Sequence, residues 1–121
     1  MRVVVVPSGE VRGKRATRGV RRYLPGGWSS ETLPVQAFAV EHPAGVCLFD
    51  AGQSAATAPF PGRHPFLRLA RFELSPEDEV GRRLDPSTVR WVVLSHLHTD
   101  HVGSVGAFRG AEVLISRVEW E

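Results

Sequence analysis

Three of the five histidines of this chain fall within six consecutive residues, 96–101, which read HLHTDH. Side chains alternate between the two faces of an extended segment, so His96, His98 and Asp100 are expected to project together. His101 breaks this alternation, and a turn near Asp100 would offer two donors on one side and two more around the corner. Imidazole and carboxylate suit zinc first, with iron, manganese or cobalt as alternatives. The spacing predicts a metal site made of these four side chains.

The residues on either side of this string predict elements that can position it. Residues 91–94 are a continuous apolar run, typical of a strand buried on both faces. Val102 and Val105 follow at helical spacing, among small residues that permit close packing. A strand ending in a ligand loop that opens a helix is where α/β proteins place ligands and catalytic groups. These flanks disfavour the alternative, a surface loop that is rich in histidine by accident.

Hydrophobic runs, turn residues and caps predict the other elements of the chain. Residues 10–32 read as a basic, Gly-rich loop or hairpin region, and residues 53–66 read as a loop. Ser75 is a candidate N-cap for a helix that ends near Leu84. The further elements are strands at 2–6, 33–41, 45–50, 90–95 and 112–116, and helices at 101–108 and from about 117.

Several of these segments carry a resemblance to a known family. Residues 95–103 resemble the signature of the metallo-β-lactamase-fold hydrolases, and residues 46–52, which end in Asp50-Ala51-Gly52, resemble an earlier strand of that superfamily. Residues 111–121 look like its next strand and helix start, and residues 34–43 are similar to quorum-quenching N-acyl homoserine lactonases. The resemblance implies an α/β (α+β) fold: the N-terminal half of an αββα sandwich, with a mixed sheet and helices on one face.

The resemblance also implies roles for individual residues. His96 and His98 would bind a first metal ion, and Asp100 and His101 a second, both ions being zinc, with iron or manganese as alternatives. A metal-bound hydroxide would attack a carbonyl carbon, and Asp100 would hold this nucleophile and accept its proton. Asp50 would orient the ligands from beneath the loop, although an ordinary turn aspartate that bonds its own backbone is the alternative interpretation.

The resemblance covers only the first half of the family's domain. In the superfamily, a third His on the first metal, a bridging Asp and a further His on the second lie downstream, and no His follows His101 here. Two protein ligands fall short of the three ligands plus water of a catalytic zinc site. We therefore expect residues 1–121 to be the N-terminal part of a single truncated domain, inactive alone. A truncated gene product and a half-site completed by another chain are the alternatives.

The predicted function is metal-dependent hydrolysis of a small ester, lactone or related carbonyl substrate, with a lactone preferred. A phosphodiesterase or nuclease of the same superfamily is one alternative, because residues 12–22 carry six basic side chains and no acid. No stacking aromatics are interleaved there apart from Tyr23, so a solvated loop is the preferred interpretation and nucleic acid is not the expected partner. A non-catalytic metal-binding fragment is the other alternative.

Composition bounds the location and the partners. No apolar run approaches the roughly 20 residues that a membrane span needs, and residues 3–6 are too short for a signal sequence. The single Cys47 excludes an internal disulfide and is neutral or points to a reducing compartment. We expect a cytoplasmic protein without a membrane span. A lone half-sandwich would leave sheet edges and an apolar face open, so self-association through the sheet is also expected.

Overall fold

The computed structural model describes residues 1–16, 25–56 and 70–121, which form one mixed sheet of seven strands with short helical segments. The strands are β1 (Arg2–Ala16), β2 (Pro25–Trp28), β3 (Leu33–His42), β4 (Gly45–Phe49), β5 (Ala70–Glu73), β6 (Val89–Leu94) and β7 (Glu112–Ile115). The helices are α1 (Val80–Arg83), α2 (Thr99–Val102) and α3 (Arg117–Trp120), with 3-10 turns at Pro76–Asp78, Pro86–Thr88 and Val105–Ala107. None of the helices in these residues is long and apolar enough to cross a membrane.

The strand order is β2-β1-β3-β4-β6-β7, and β5 pairs with β1. β3 pairs antiparallel with β1 on one side and with β4 on the other. β6 pairs parallel with β4 on one side and with β7 on the other. A tight turn joins β3 to β4, and its Gly45 has a φ of 131°, which a side chain would disfavour. The parallel pairing of β4 with β6 brings the residues that follow each strand to the same edge of the sheet.

One face of the sheet is covered. Small and branched side chains of the central strands, among them Ala39, Leu48 and Val92, form a buried core with Val80 of α1 and with Phe108. Ala39 pairs with Leu48 and Leu48 with Val92, so these three residues lie side by side across β3, β4 and β6. The helical segments therefore pack on this face, as the resemblance predicted.

The opposite face, which we call the outer face, carries apolar side chains that nothing covers within the described residues. Its members pair across neighbouring strands: Val5 with Phe38, Phe38 with Phe49, and Phe49 with Val93. Val5, Phe38 and Phe49 are 49%, 38% and 42% exposed. An apolar surface that continues across four strands is characteristic of an interface with another layer of structure.

Several predicted elements are present with small shifts in their bounds, but the first strand is much longer than the predicted 2–6. A register shift between Pro7 and Glu10, where Gly9 has a φ of 78°, interrupts the pairing of β1 with β3, which resumes at Glu10 and Val11. From Glu10 onward β1 also pairs with β5, and its last residues pair with β2. Residues 10–32 were predicted to form a loop or hairpin region; residues 10–16 lie in β1, and residues 25–28 form β2, which pairs antiparallel with the end of β1. Residues 17–24 lie outside the described residues.

The helix predicted from Ser75 to Leu84 is interrupted at Glu79. Ser75 N donates to Asp78 Oδ2 at 2.8 Å, and this bond, together with bonds from Arg83 and the Ser75 hydroxyl, holds the pKa of Asp78 below its ordinary value. Glu79 then adopts an extended backbone, and its Oε1 accepts from Ser54 Oγ and Ala55 N at 3.1 and 2.8 Å. The interruption of the helix therefore coincides with hydrogen bonds between Glu79 and the loop after β4.

The helix predicted at 101–108 is also interrupted. α2 begins at Thr99 and ends at Val102, and the 3-10 turn Val105–Ala107 follows separately. Residues 53–56 of the predicted 53–66 loop lack helix and strand, and the remainder of that loop lies outside the described residues. β5 was not predicted, because a strand of four residues next to a Gly- and Pro-containing sequence is too short to show a clear alternation of apolar and polar residues.

Phe108 provides a test of the covered face, because its ring is buried and contacts the core from beyond α2. Phe108→Ala is expected to lower the free energy of unfolding by about 3–5 kcal/mol, the usual cost of removing a buried ring. Trp120→Ala is the matched control, since Trp120 is 75% exposed, and it should change stability by no more than about 0.5 kcal/mol. Urea denaturation of the two variants measures the difference. Equal losses would contradict this description of the core.

Candidate metal centre

The parallel pairing of β4 and β6 creates the site. Asp50 follows β4 directly, Ser95 follows β6, and Asp50 N donates to Val93 O at 2.8 Å. The loop of residues 95–98 then leads into α2, and Ala51 N donates to His101 O at 2.7 Å. Two segments far apart in sequence are therefore bonded side by side at the carboxyl ends of the strands.

Three imidazoles meet on this loop. The ring centroids of His96 and His98 lie 4.6 Å apart, and those of His96 and His101 lie 4.0 Å apart. Asp100 Oδ2 lies 3.5 Å from His101 Nε2. The structure therefore brings together the four side chains that the sequence singled out, all partly exposed to solvent. The predicted turn is the start of α2, where the backbone of Asp100 and His101 leaves the extended conformation.

The donor atoms fall into two pairs. His96 Nε2 lies 3.1 Å from His98 Nδ1, and His101 Nε2 lies 3.5 Å from Asp100 Oδ2. Two ligands of one tetrahedral zinc, each about 2.0–2.1 Å from the ion, lie roughly 3.3–3.4 Å from one another. Both separations are close to this value. Across residues 1–16, 25–56 and 70–121, no group of three or more His, Cys, Asp or Glu side chains is arranged to hold an ion. Each pair therefore has a separation that two ligands of one tetrahedral ion would also have.

The carboxylate of Asp50 lies beneath this loop and is only 5% exposed. Its Oδ1 accepts from Ser95 N at 2.8 Å, and its Oδ2 accepts from Ser95 Oγ at 2.9 Å and from His101 Nδ1 at 2.8 Å. All three bonds join Asp50 to Ser95 or His101, and none is to the backbone of Asp50 itself. Hydrogen bonds to an ionised acceptor are shorter and stronger than neutral ones, so this carboxylate holds both ends of the loop.

These bonds also select the tautomers of two histidines. The Ser95 hydroxyl has one proton, which it donates to Asp50, so it accepts from His96 Nδ1 at 2.9 Å. His101 Nδ1 donates directly to Asp50. In both rings the proton is thereby placed on Nδ1, which leaves Nε2 with a lone pair. A neutral imidazole whose other nitrogen donates to a carboxylate is the usual form of a metal-binding histidine.

Asp50 has a φ of 60°, the left-handed region, and it is the one non-glycine residue with a positive φ among those described. Asp and Asn enter this region far more readily than other side chains. The adjacent Gly52 has a φ of 69°, and a Cβ there would collide with Ser8 and Val80. The chain therefore makes a sharp turn after β4, and this turn aims the Asp50 carboxylate at the loop.

Two contacts of the loop were not predicted. Glu119 lies in α3, and its Oε2 accepts from Leu97 N at 3.3 Å. Gln53, which carried no assignment, is fully buried and its Nε2 donates to Thr99 Oγ1 at 3.2 Å. Both are polar residues far in sequence from their partners, and only the three-dimensional placement of α2 and α3 reveals these contacts.

The remaining candidates lie elsewhere. His42 is exposed at the end of β3, where its Nδ1 accepts from Ala44 N. Cys47 is half-buried in β4, in a register position on the outer face. His64 lies outside the described residues. Neither His42 nor Cys47 contributes to the loop in the part of the chain that the structure describes.

Of the basic side chains in residues 12–22, Arg12 is the one that the structure describes. Its Nε lies 2.7 Å from Glu73 Oε1, and this carboxylate raises the pKa of the guanidinium above its ordinary value. Arg12 Nη1 also donates to Ser29 O at 2.9 Å. Arg12 is therefore engaged within the sheet, which gives no support to a phosphate-binding role for it. Arg18, Arg21 and Arg22 lie outside the described residues.

Comparison with known proteins places these features in a family. The profile of the metallo-beta-lactamase superfamily matches residues 31–121. The N-acyl homoserine lactonase AttM of Azorhizobium caulinodans is 33% identical over 98 residues, which are 74% of this chain and 36% of AttM. AttM of Agrobacterium fabrum is 34% identical over the same shares of the two chains.

Solved structures share the fold. An N-acyl homoserine lactone hydrolase with N-hexanoyl-L-homoserine bound at its catalytic metal center gives a TM-score of 0.78 at 23% identity, over 98% of this chain and 49% of that chain. AidC, a dizinc quorum-quenching lactonase, gives a TM-score of 0.61 at 19% identity, over 97% and 42%. The chain thus spans about a third of the length of the curated relatives and about half of these solved structures.

Asp50→Asn tests the contacts beneath the loop. Asn tolerates the positive φ but provides one acceptor oxygen and no charge, so the turn should survive while the bonds to Ser95 and His101 weaken. We expect zinc affinity to fall by about 10–100-fold, the usual effect of removing a partner of a ligand. Asp85→Asn, in an exposed turn, is the control. Titration against a competing chelator measures both, and parental affinity in Asp50→Asn would contradict the assignment.

Proposed function

The chain belongs to the metallo-beta-lactamase superfamily, and from this premise we propose that it supplies half of the active site of a metal-dependent hydrolase. The substrate that we propose is a small carbonyl compound, with a lactone preferred over an open ester, thioester or amide. The lactone preference rests on the AttM relatives, which are N-acyl homoserine lactonases at 33–34% identity. The activity belongs to a complete protein that contains residues 1–121.

The observation that carries the proposal is the pairing of donors on one loop. His96 with His98, and His101 with Asp100, stand at separations of 3.1 and 3.5 Å that suit two ligands of one tetrahedral ion. We propose that each pair binds one zinc ion, with iron or manganese as alternative metals for the same donors. The dizinc state of AidC supports two ions. The further ligands that each ion needs would come from residues other than the four described here.

The residues of this chain have distinct tasks in that reaction. A divalent ion such as zinc supplies a Lewis acid for the carbonyl oxygen and makes hydroxide available near neutral pH. Asp100 would hold the attacking water by a hydrogen bond to its carboxylate and accept the proton at Oδ. His96 and His101 keep their protons on Nδ1 because of Ser95 and Asp50, so Nε2 stays available as a ligand. Asp50 holds these two rings in place.

A phosphodiesterase remains the rival that uses the same ligands on a different substrate. It would need cationic side chains for the phosphate, and Arg12, the described side chain of the basic cluster, is instead paired with Glu73. We therefore prefer the carbonyl substrate and a small-molecule partner. The rival predicts turnover of bis(p-nitrophenyl) phosphate by the complete protein, whereas our proposal predicts turnover of a panel of lactones. Purified protein that cleaves the phosphate diester and none of the lactones would refute the proposal.

We also propose that the complete protein is cytoplasmic. The single Cys47 means that the chain forms no internal disulfide, so the fold does not depend on an oxidising compartment. Fractionation of the source cells tests this placement, because recovery with periplasmic or membrane markers would contradict it.

The role of Asp100 is open to a direct test in the complete protein. Asp100→Ala removes a ligand and the proton acceptor together, and we expect kcat for a lactone to fall by about 10²–10⁴-fold, the usual contribution of a positioned acid or base. His42→Ala is the control, because His42 lies at the exposed end of β3 and its replacement should leave turnover unchanged. Assays at saturating zinc separate loss of chemistry from loss of metal. Near-parental turnover in Asp100→Ala would show the assigned role to be wrong.

The outer face generates a second test, on the isolated 121-residue chain. Each large apolar side chain left in water forgoes about 1.5–3 kcal/mol, so we propose that copies of this chain associate through Phe38, Phe49 and their neighbours. Sedimentation should show dimers or larger species, and Phe38→Lys should shift the protein toward monomer. Leu33→Lys is the control, since Leu33 is exposed at the start of β3. A monodisperse monomer in the parent would contradict this expectation.

A further inference from the structure

Gln53 is a polar side chain in an apolar setting. It is fully buried, and its neighbours in the chain include the buried Ala51 and Gly52. A buried amide is costly unless its donors and acceptors are satisfied. Gln53 Nε2 donates to Thr99 Oγ1 at 3.2 Å, and Gln53 Oε1 accepts from Ser54 N at 3.1 Å. The described contacts therefore direct the amide toward the first residue of α2.

The backbone around Gln53 is bonded to the far end of the same helix. Gln53 O accepts from Ser104 Oγ at 2.9 Å, and Gly52 O accepts from Ser104 N at 3.3 Å. Gln53 O is also within reach of Ser8 Oγ, at 3.5 Å, which connects it to β1. We call residues 51–54 the clamp, because they contact α2 at Thr99 and again just after the helix at Ser104.

The helix and the clamp approach each other so closely that a side chain does not fit between them. A Cβ on Gly103 would lie 2.6 Å from Gln53 Oε1, from Ser54 N and from Thr99 O. Gly103 itself has ordinary helical dihedral angles, with a φ of −54°. The lack of a side chain at Gly103 therefore serves this close approach, and the Gln53 amide lies directly against the helix.

Thr99 is the residue through which Gln53 can act on the ligands. It is the first residue of α2, with His98 as the N-cap before it and Asp100 and His101 directly after it. One turn of helix fixes the directions of successive side chains relative to one another. A hydrogen bond that fixes the Thr99 hydroxyl therefore also fixes the rotation of α2 about its axis, and with it the aim of the Asp100 carboxylate and the His101 ring.

We propose that Gln53 is a positioning residue for the second donor pair, and that it aims Asp100 and His101 through its hydrogen bond to Thr99. The inference rests on the proposed metal-binding function for its consequence, whereas the bond itself is part of the described structure. Asp50 holds the His101 ring from one side, while Gln53 holds the helix that carries it from the other. His96 and His98 precede α2, so their pair does not depend on this bond.

Substitution at Thr99 tests the proposal with little risk to the fold, because Thr99 is only partly buried. Thr99→Val keeps the shape of the side chain and removes the hydroxyl, whereas Thr99→Ser keeps the hydroxyl. Gln53→Leu removes the other partner, and Gln36→Leu, on the exposed side of β3, is its control. The metal-free readout is amide hydrogen exchange at Val102 and Gly103, whose N–H groups donate to His98 O and Thr99 O within α2.

In metal-free protein, exchange at these two amides should be at least several-fold faster in Thr99→Val and Gln53→Leu than in the parent, and unchanged in Thr99→Ser and Gln36→Leu. Parental exchange in a folded Thr99→Val variant would overturn the proposal whether or not the protein binds metal. If Gln53→Leu fails to fold, the comparison of Val with Ser at Thr99 still decides the question.

The second readout is cobalt binding by the complete protein, followed by visible absorption against a competing chelator. Thr99→Val should weaken one of two equivalents by about 10–100-fold and alter its absorption band, while the other equivalent and the Thr99→Ser spectrum stay parental. Equal weakening of both equivalents would mean a general structural effect and would refute the proposal. A parent that binds no cobalt would instead refute the proposed function, with the exchange data deciding the role of Gln53 independently.

Discussion

The site depends on one carboxylate. Asp50 accepts three hydrogen bonds of 2.8–2.9 Å from the loop that carries the ligand residues, and through Ser95 it reaches a second imidazole. A buried charge is tolerated only when it is paired and hydrogen-bonded, so the loop and the carboxylate stabilise one another. Removing either partner would leave the other with unsatisfied groups in a place that water reaches poorly.

This interaction is available because of the sheet topology. Since β4 and β6 are parallel neighbours, the ends of both strands lie at one edge, and a residue just after one strand can bond the residue just after the other. The sharp turn at Asp50, with a φ of 60°, then directs the carboxylate across that edge. The antiparallel strands β1 and β3 extend the sheet on the other side of β4 and complete its covered core. The fold thus acts on the site mainly through the positions of two strand ends.

Much of this could be predicted from local sequence, and the failures have physical causes. The HLHTDH string, the apolar run before it and the turn near Asp100 are all local signals, and the resemblance supplied the position of Asp50. The contacts of Gln53 and Glu119 join residues 46 and 22 positions apart, so no periodic pattern announces them. The extension of β1 continues past a register shift with β3 and depends on pairing with β5 and β2, and the interruption at Glu79 coincides with bonds to Ser54 and Ala55. In each case tertiary contacts outweighed local propensity.

The two faces of the sheet differ in a way that bears on how such a protein can be assembled. The hydrogen bonds from Asp50 and Gln53 to the segment that carries the ligands join residues between 50 and 104, at the carboxyl ends of β4 and β6, whereas the outer face carries exposed apolar side chains such as Val5, Phe38 and Phe49. Apolar contact is non-directional and needs no particular chain connection. A further layer of structure with matching apolar side chains can therefore pack on this face without disturbing the loop, whether it belongs to the same polypeptide or to another.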